Sequence, residues 1–162
     1  METAKCKICR RLGVKLFLKG ERCLSQKCAI IRKPYPPGPK RKRTTRGGGS
    51  EYGKELREKQ KLKNWYNLKE RQFSKYVKEV LEKRGGIENA GELLIKKFAV
   101  RLDNVIFRLG FAASRAKARQ LVSHNHFLIN GKKINIPSYK VKKGDIISLA
   151  PSSIKKTAFQ NI

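Results

Sequence analysis

Acid is what this chain most lacks. Its 162 residues hold 12 Asp+Glu against 40 Lys+Arg, a formal net charge of +28. No acidic residue lies between Arg22 and Ser50. Self-repulsion on this scale disfavours a compact free monomer and implies a polyanionic partner. Nucleic acid fits best, because its dense phosphates reward Lys and Arg with counterion release. An anionic lipid surface fits less well, since the basic residues are spread along the chain rather than gathered on one amphipathic helix. No run of about 18 apolar residues is present, so no membrane-crossing helix is expected. The opening METAKCKICRR lacks the apolar centre of a signal peptide, so a reducing, cytoplasmic setting is expected.

Recognisable catalytic apparatus is missing as well. There is no P-loop, and no G-x-G-x-x-G follows a strand pattern. No Ser/His/acid set suggests nucleophilic catalysis. The only histidines are His124 and His126, which have no nearby partners for a metal. The expectation is a non-enzyme without a small-molecule substrate.

Cysteine is absent after residue 28, and all four lie in CKICRRLGVKLFLKGERCLSQKC. Cys6 and Cys9 form C-x2-C, and Cys23 and Cys28 form C-x4-C. Two close pairs of thiolates joined by a short turn suit one tetrahedral zinc ion. Four sulfur ligands leave no open position, so such a zinc is structural. An iron–sulfur cluster uses the same donors, and four unrelated buried cysteines are the plain alternative. The surrounding Arg and Lys side chains would offset thiolate charge.

Four of the six prolines, Pro34, Pro36, Pro37 and Pro39, follow the cysteines, with Gly47 to Gly49 close behind. This stretch reads as an extended basic arm that orders on RNA. Helical patterns come next. Tyr52, Leu56 and Leu62 make a rough stripe. Phe73, Tyr76, Val77, Val80 and Leu81 make a clear one, with Asn67 and Glu70 spaced as a capping box. Asn89 and Glu92 repeat that spacing, and Phe98, Leu102, Val105, Ile106 and Leu109 form another apolar face ended by Gly110. Ser114 is placed to cap a helix from Arg115 to Ser123, where Arg115 and Arg119 share a side. A strand from Phe127 to Ile129, an Asn130-Gly131 turn, a strand around Ile134, and a strand from Ile146 to Ala150 complete a small sheet.

The expected fold class is therefore α+β. It comprises an N-terminal zinc knuckle (1–31), a basic Pro/Gly-rich arm (32–50), and a helical domain (51–100). An RNA-binding module of two helices on a small antiparallel sheet (101–150) and a short tail (151–162) follow. Candidate RNA contacts around the cysteines are Arg10, Arg11, Lys15 and Arg22. On the arm they are Lys40, Arg41, Lys42, Arg43 and Arg46, and on the helices Lys54, Arg57, Lys61 and Arg71. In the module they are Arg101, Ser114, Arg115, Lys117, Arg119, Gln120 and His124, then Asn130, Gly131, Lys132 and Lys133 on the hairpin.

The phrases CRRLGVKLFLKGERC, KPYPPG, YGKELREKQKLK, ERQF, RLDNVIFRLGF, SRAKARQLVSH and INGKKINIPSY stand in this order. Together they resemble the small-subunit ribosomal protein four family of bacteria and organelles, over nearly the whole chain. The paired cysteines are similar to its zinc-bearing members. The resemblance implies direct, early binding to 16S-type ribosomal RNA in its five-prime domain. It also implies a neighbour in small-subunit protein five near the messenger entry path, an influence on decoding accuracy, and a place in the small ribosomal subunit, of a bacterial cytoplasm ahead of an organelle. Family members commonly continue well beyond Ala150, which makes this chain short at its C-terminus. They also often carry a Gly-Gln-His-Gly element where this arm reads GPKRKRTTRGGGSEYG. A free-standing RNA-binding regulator and an RNA-modifying enzyme carrying the module are the competing readings. The full-length resemblance disfavours the first, and the missing catalytic domain disfavours the second.

Overall fold

The computed structural model describes residues 4–39, 50–82, 89–154, 156 and 159. Two compact units divide the chain, residues 1–69 and 70–162. The division falls inside the 51–100 stretch read as one helical domain, so its first helix groups with the cysteines and the others with the sheet.

In the first unit, α1 (Lys5–Leu12) ends at Gly13, whose φ of +69° is the left-handed turn that glycine adopts without strain. Short helices α2 (Glu21–Leu24) and α3 (Ala29–Arg32) follow, and α4 (Glu51–Trp65) is the long one. Between the cysteine pairs the chain turns without forming a hairpin strand. Ser50 caps α4, its hydroxyl oxygen accepting from the Gly53 N–H. The other end of α4 is closed by two backbone bonds: Asn67 N–H donates to the Asn64 carbonyl, and Leu68 N–H to that of Lys63. This is a Schellman closure with Asn67 left-handed at φ +54°. The N-cap role expected for Asn67 is thus replaced by a stop for the preceding helix. The Tyr52–Leu56 stripe is not core, since both side chains are exposed. A few buried groups hold this unit instead: Cys9, Leu16, Cys23, Cys28, Tyr66 and Leu68.

The second unit begins with α5 (Glu70–Glu82), which buries Phe73 and Val80 but leaves Leu81 exposed. Helix α6 (Ala90–Ala99) is capped by Asn89, whose side chain accepts from Gly91 N–H at 3.0 Å. Phe98 packs between Phe73 and Tyr76, with ring centroids 5.8 and 5.4 Å away. The apolar face expected to run on from Phe98 to Leu109 is broken at Arg101, and α7 (Leu102–Arg108) starts afresh. The reason is a bridge to a distant loop. Leu102 N–H donates to the Tyr139 carbonyl, Asp103 N–H to that of Pro137, and Val141 N–H to that of Val100. The start of α7 is satisfied from outside the helix, and Leu109 is left exposed.

Helix α8 (Arg115–Ser123) is capped by Ser114, as its sequence position implies. Strands β1 (Phe127–Ile129), β2 (Lys132–Lys133) and β3 (Ile147–Leu149) form one antiparallel sheet in the order β2-β1-β3. Asn130 and Gly131 both have positive φ, +50° and +79°, as the tight hairpin turn requires. Ile134, read as strand centre, lies just past β2. The core joins Leu102, Ile106, Ala118, Leu121, Val122, Phe127 and Ile129, with Phe159 from the tail. Short α9 (Pro151–Ile154) brings Ser153 to the buried His126, Oγ to Nδ1 at 2.7 Å. The tail is therefore part of this unit's packing.

Four helices of this unit meet on one ion-pair network. Arg101 is 1% exposed. Its Nε and Nη2 donate to the two Asp103 carboxylate oxygens at 3.1 and 2.8 Å, and its Nη1 to Tyr76 Oη at 2.9 Å. Arg119 reaches Asp103 from α8 at 3.0 Å. Arg115 donates to Asn104 Oδ1 at 2.9 Å, and the Asn104 amide donates to the Ala99 carbonyl. Burial opposes the charge on Arg101, but Asp103 and Tyr76 together outweigh it, and Arg101 holds its proton more tightly than an ordinary arginine.

Two outcomes follow for stability. Asp103→Ala strands a buried guanidinium and should lower the stability of this unit by about 3–5 kcal/mol, read from the urea midpoint. Burial first, then Lys156 and His124, holds the His126 ring below the ordinary histidine range. The folded chain therefore takes up that proton less readily than the unfolded chain. Its contribution is complete above about pH 6.5 and is lost as pH falls through the folded value. Melts from about pH 7.5 to 5 should show a steeper acid loss in the native chain than in His126→Gln.

Candidate nucleic-acid interface

The candidate contacts separate into three groups once their surroundings are known. Arg101 is withdrawn from the surface and is corrected to a structural group, because burial and the Asp103 pair use its guanidinium. Ser114 is buried, with Oγ accepting from Lys117 N–H at 3.3 Å, so its role is the cap. The shared side of Arg115 and Arg119 is real, but it faces α7: both side chains are half-buried against Asn104 and Asp103. The Arg115 guanidinium also lies 4.5 Å from the Phe107 ring centroid. These arginines brace the module.

Asn130 likewise works inward. Its Oδ1 accepts from Ile146 N–H, and its Nδ2 donates to Asp145 Oδ1, each at 2.9 Å. Asp145 Oδ2 accepts from Lys142 N–H at 2.8 Å. The Lys142 N–H, then the Asn130 amide, hold the Asp145 carboxyl below its usual range. The hairpin turn and the Lys142–Asp145 turn are clasped together by this set.

The outward group is different in kind. Lys117 and Gln120 on α8 and His124 just past its end are exposed, as are Gly131, Lys132 and Lys133 on the hairpin. In the first unit Arg11, Arg22, Lys54 and Arg57 are exposed, and Arg71 is exposed on α5. Lys15 is half-buried, and half-buried Lys61 pairs with Glu58. Arg10 serves the arm: its Nε donates to the carbonyls of Lys33 and Tyr35, at 3.1 and 3.0 Å, and its guanidinium lies 4.9 Å from the Tyr35 ring centroid. Lys40, Arg41, Lys42, Arg43 and Arg46 lie outside the described residues. Asp103 organises these braces and is not among the candidate residues read from the sequence. Its signal was its isolation, one acid in a long basic stretch.

Cys6 and Cys9 sit on α1, Cys23 on α2, and Cys28 just before α3. All four are free thiols lining one cavity of about 10 Å³, room for about one water. Lys19 N–H donates to Cys23 Sγ at 3.3 Å. Burial pushes the Cys9 thiol up. The Leu16 N–H pulls it down, while Cys23, Cys6 and Cys28 add to the rise. Mutual repulsion of sulfurs around one space, with N–H groups aimed at two of them, fits a cation at the centre. Among the described residues, however, no three His, Cys, Asp or Glu side chains are gathered as ready metal ligands.

Both units match known families. Residues 1–96 match the Ribosomal protein S4/S9 N-terminal domain, and residues 100–147 match the S4 domain. The small ribosomal subunit protein uS4 of Caldicellulosiruptor bescii is 54% identical over 160 residues, covering 97% of this chain and 73% of that protein. The uS4A protein of Bdellovibrio bacteriovorus is 51% identical over 156 residues, covering 96% of this chain and 73% of its own length. The chain belongs to the uS4 family. The uS4 protein of Ruminiclostridium cellulolyticum is 52% identical, over 93% of this chain and 70% of that protein. The uS4 likeness thus spans both units. It gives the mixed fold of helices and a three-stranded sheet its family setting.

Proposed function

We propose that this chain is a structural, non-catalytic component of the small ribosomal subunit that binds the subunit's RNA. The observation that carries the reading is uS4 family membership over 97% of a chain whose net charge is +28. Exposed cations supply the mechanism. Lys117, Lys132 and Lys133 on the module, and Arg11, Arg22, Lys54, Arg57 and Arg71 elsewhere, bind phosphates and release counterions. Gln120 and His124 add hydrogen bonds at the end of α8. The arm residues Lys40 to Arg46 follow the RNA backbone. The braced arginines keep α8 and the hairpin in fixed orientation, so the RNA is recognised by shape and phosphate position.

The partner is 16S-type RNA in its five-prime domain, bound early so that it seeds assembly and supports decoding accuracy. Small-subunit protein five is the protein neighbour, and the compartment is a bacterial cytoplasm. Co-sedimentation tests this directly: the chain should travel with the small subunit. Its affinity for a five-prime-domain transcript should fall on the order of 10³-fold between about 50 and 200 mM salt if six or more phosphates are held. A chain found only free, or a flat salt response, refutes the reading.

We also propose one structural zinc held by Cys6, Cys9, Cys23 and Cys28. The shared cavity and the N–H groups aimed at sulfur support it. When bound, the ion supplies a crosslink for a unit with little apolar core. Elemental analysis should find about one zinc per chain, and Cys9→Ser should lose it while the second unit stays folded. Iron in its place selects a cluster, and no metal at all rejects the site.

A further inference from the structure

Near the cysteines the first unit carries a second, larger hollow. Val14, Lys15, Leu16 and Phe17 form one wall, and Glu58, Lys61, Leu62 and Trp65 on α4 form the other. Its volume is about 360 Å³, at the small end of the range for single-ligand sites. Two aromatic rings stand open there. Phe17 and Trp65 are each 46% exposed. In a chain with 8% aromatic residues, two rings line this one hollow.

The backbone holds Phe17 in that position. Its φ is +53°, a left-handed conformation that a bulky side chain rarely adopts. Trp65 is the last residue of α4 and is backed by Tyr66, which is 5% exposed, with ring centroids 5.9 Å apart. Val14, Leu16 and Leu62 supply apolar surface between the rings. The rim is charged. Lys15 Nζ lies 5.3 Å from the Phe17 centroid, and Lys61 is paired with Glu58.

We infer that this hollow is a stacking site for an unpaired nucleobase, with Lys15 meeting the phosphate beside it. The inference rests on the RNA-binding reading and adds a site to it. Charge complementarity selects the occupant. A surrounding charge of +28 draws a polyanion, and an unpaired base is the flat apolar part of that polyanion. Glu58 gives such a base something a phosphate cannot use, an acceptor for an exocyclic amino group. The site favours single-stranded loops or bulges, because a base inside a duplex has no free face to offer.

Trp65 is the only tryptophan in the chain, so its fluorescence reports on this hollow alone. Titration of the full chain with a five-prime-domain transcript should quench that emission, with the same midpoint as complex formation. Trp65→Ala should weaken binding about 5- to 100-fold, while Trp65→Phe should stay within about threefold of the native chain. Circular dichroism and the melting midpoint establish that each variant is folded. Phe17→Ala offers an independent route if Trp65→Ala does not fold, and the same loss is expected. Native affinity with unchanged emission, or a folded Trp65→Ala chain with full affinity, overturns the stacking site and leaves the RNA-binding reading intact. Failure of the native chain to bind the transcript overturns that reading itself. Emission that changes with protein concentration alone reassigns the hollow to contact between copies of the chain.

Discussion

Asp103 is one negative charge answered by two guanidinium groups, and the architecture of the second unit is arranged around it. Arg101 comes from the break between α6 and α7, Arg119 from α8, and Tyr76 from α5 joins through Arg101. Apolar burial alone would leave this unit with a short core, three residues per strand at most. The carboxylate turns mutual repulsion between basic helices into a shared attachment. The exchange holds only while the partners stay together, since a buried charge without its mate is strongly unfavourable. Asn104, Arg115 and the Ala99 carbonyl continue the same line of polar contacts. Placement of the outward Lys117 on α8 depends on this hidden set.

Much of the fold could be read from local chemistry. The α8 limits, Arg115 to Ser123, and its Ser114 cap are local properties, and the structure has them as read. So is the Asn130-Gly131 turn, because positive φ at both positions demands residues of that type. What failed was non-local. The break at Arg101 comes from a pairing with Lys140, far along the chain. Nothing in the apolar spacing from Phe98 to Leu109 announces it. Asn67 failed for a subtler reason: the same residue type suits a helix start and a left-handed helix stop, and only the preceding α4 decides between them.

The candidate contacts teach a related lesson. In a chain this basic, charge identifies the partner class but not which cations meet it. Arg101, Arg115 and Arg119 carry the same charge as Lys132 and Lys133, yet they spend it on Asp103, Asn104 and Tyr76. Arginine suits that inward work because its planar fork engages several acceptors at once, while the exposed positions on the hairpin are lysine. In this unit, side-chain geometry sorts brace from contact where net charge cannot.

Strand β2 is two residues long, both lysine, and lies at the edge of the sheet. Edge strands expose unpaired backbone groups that can recruit a strand from another chain, and natural sheets guard them with short length and charge. On the proposed RNA-binding reading, the guard and the phosphate contact are the same pair of residues. In the free chain, the charge on this pair guards the hairpin edge against pairing with other copies. Once phosphates cover Lys132 and Lys133, that edge is shielded by the partner. On that reading, solubility of the free chain and affinity for the polyanion are two uses of one short strand, separated in time.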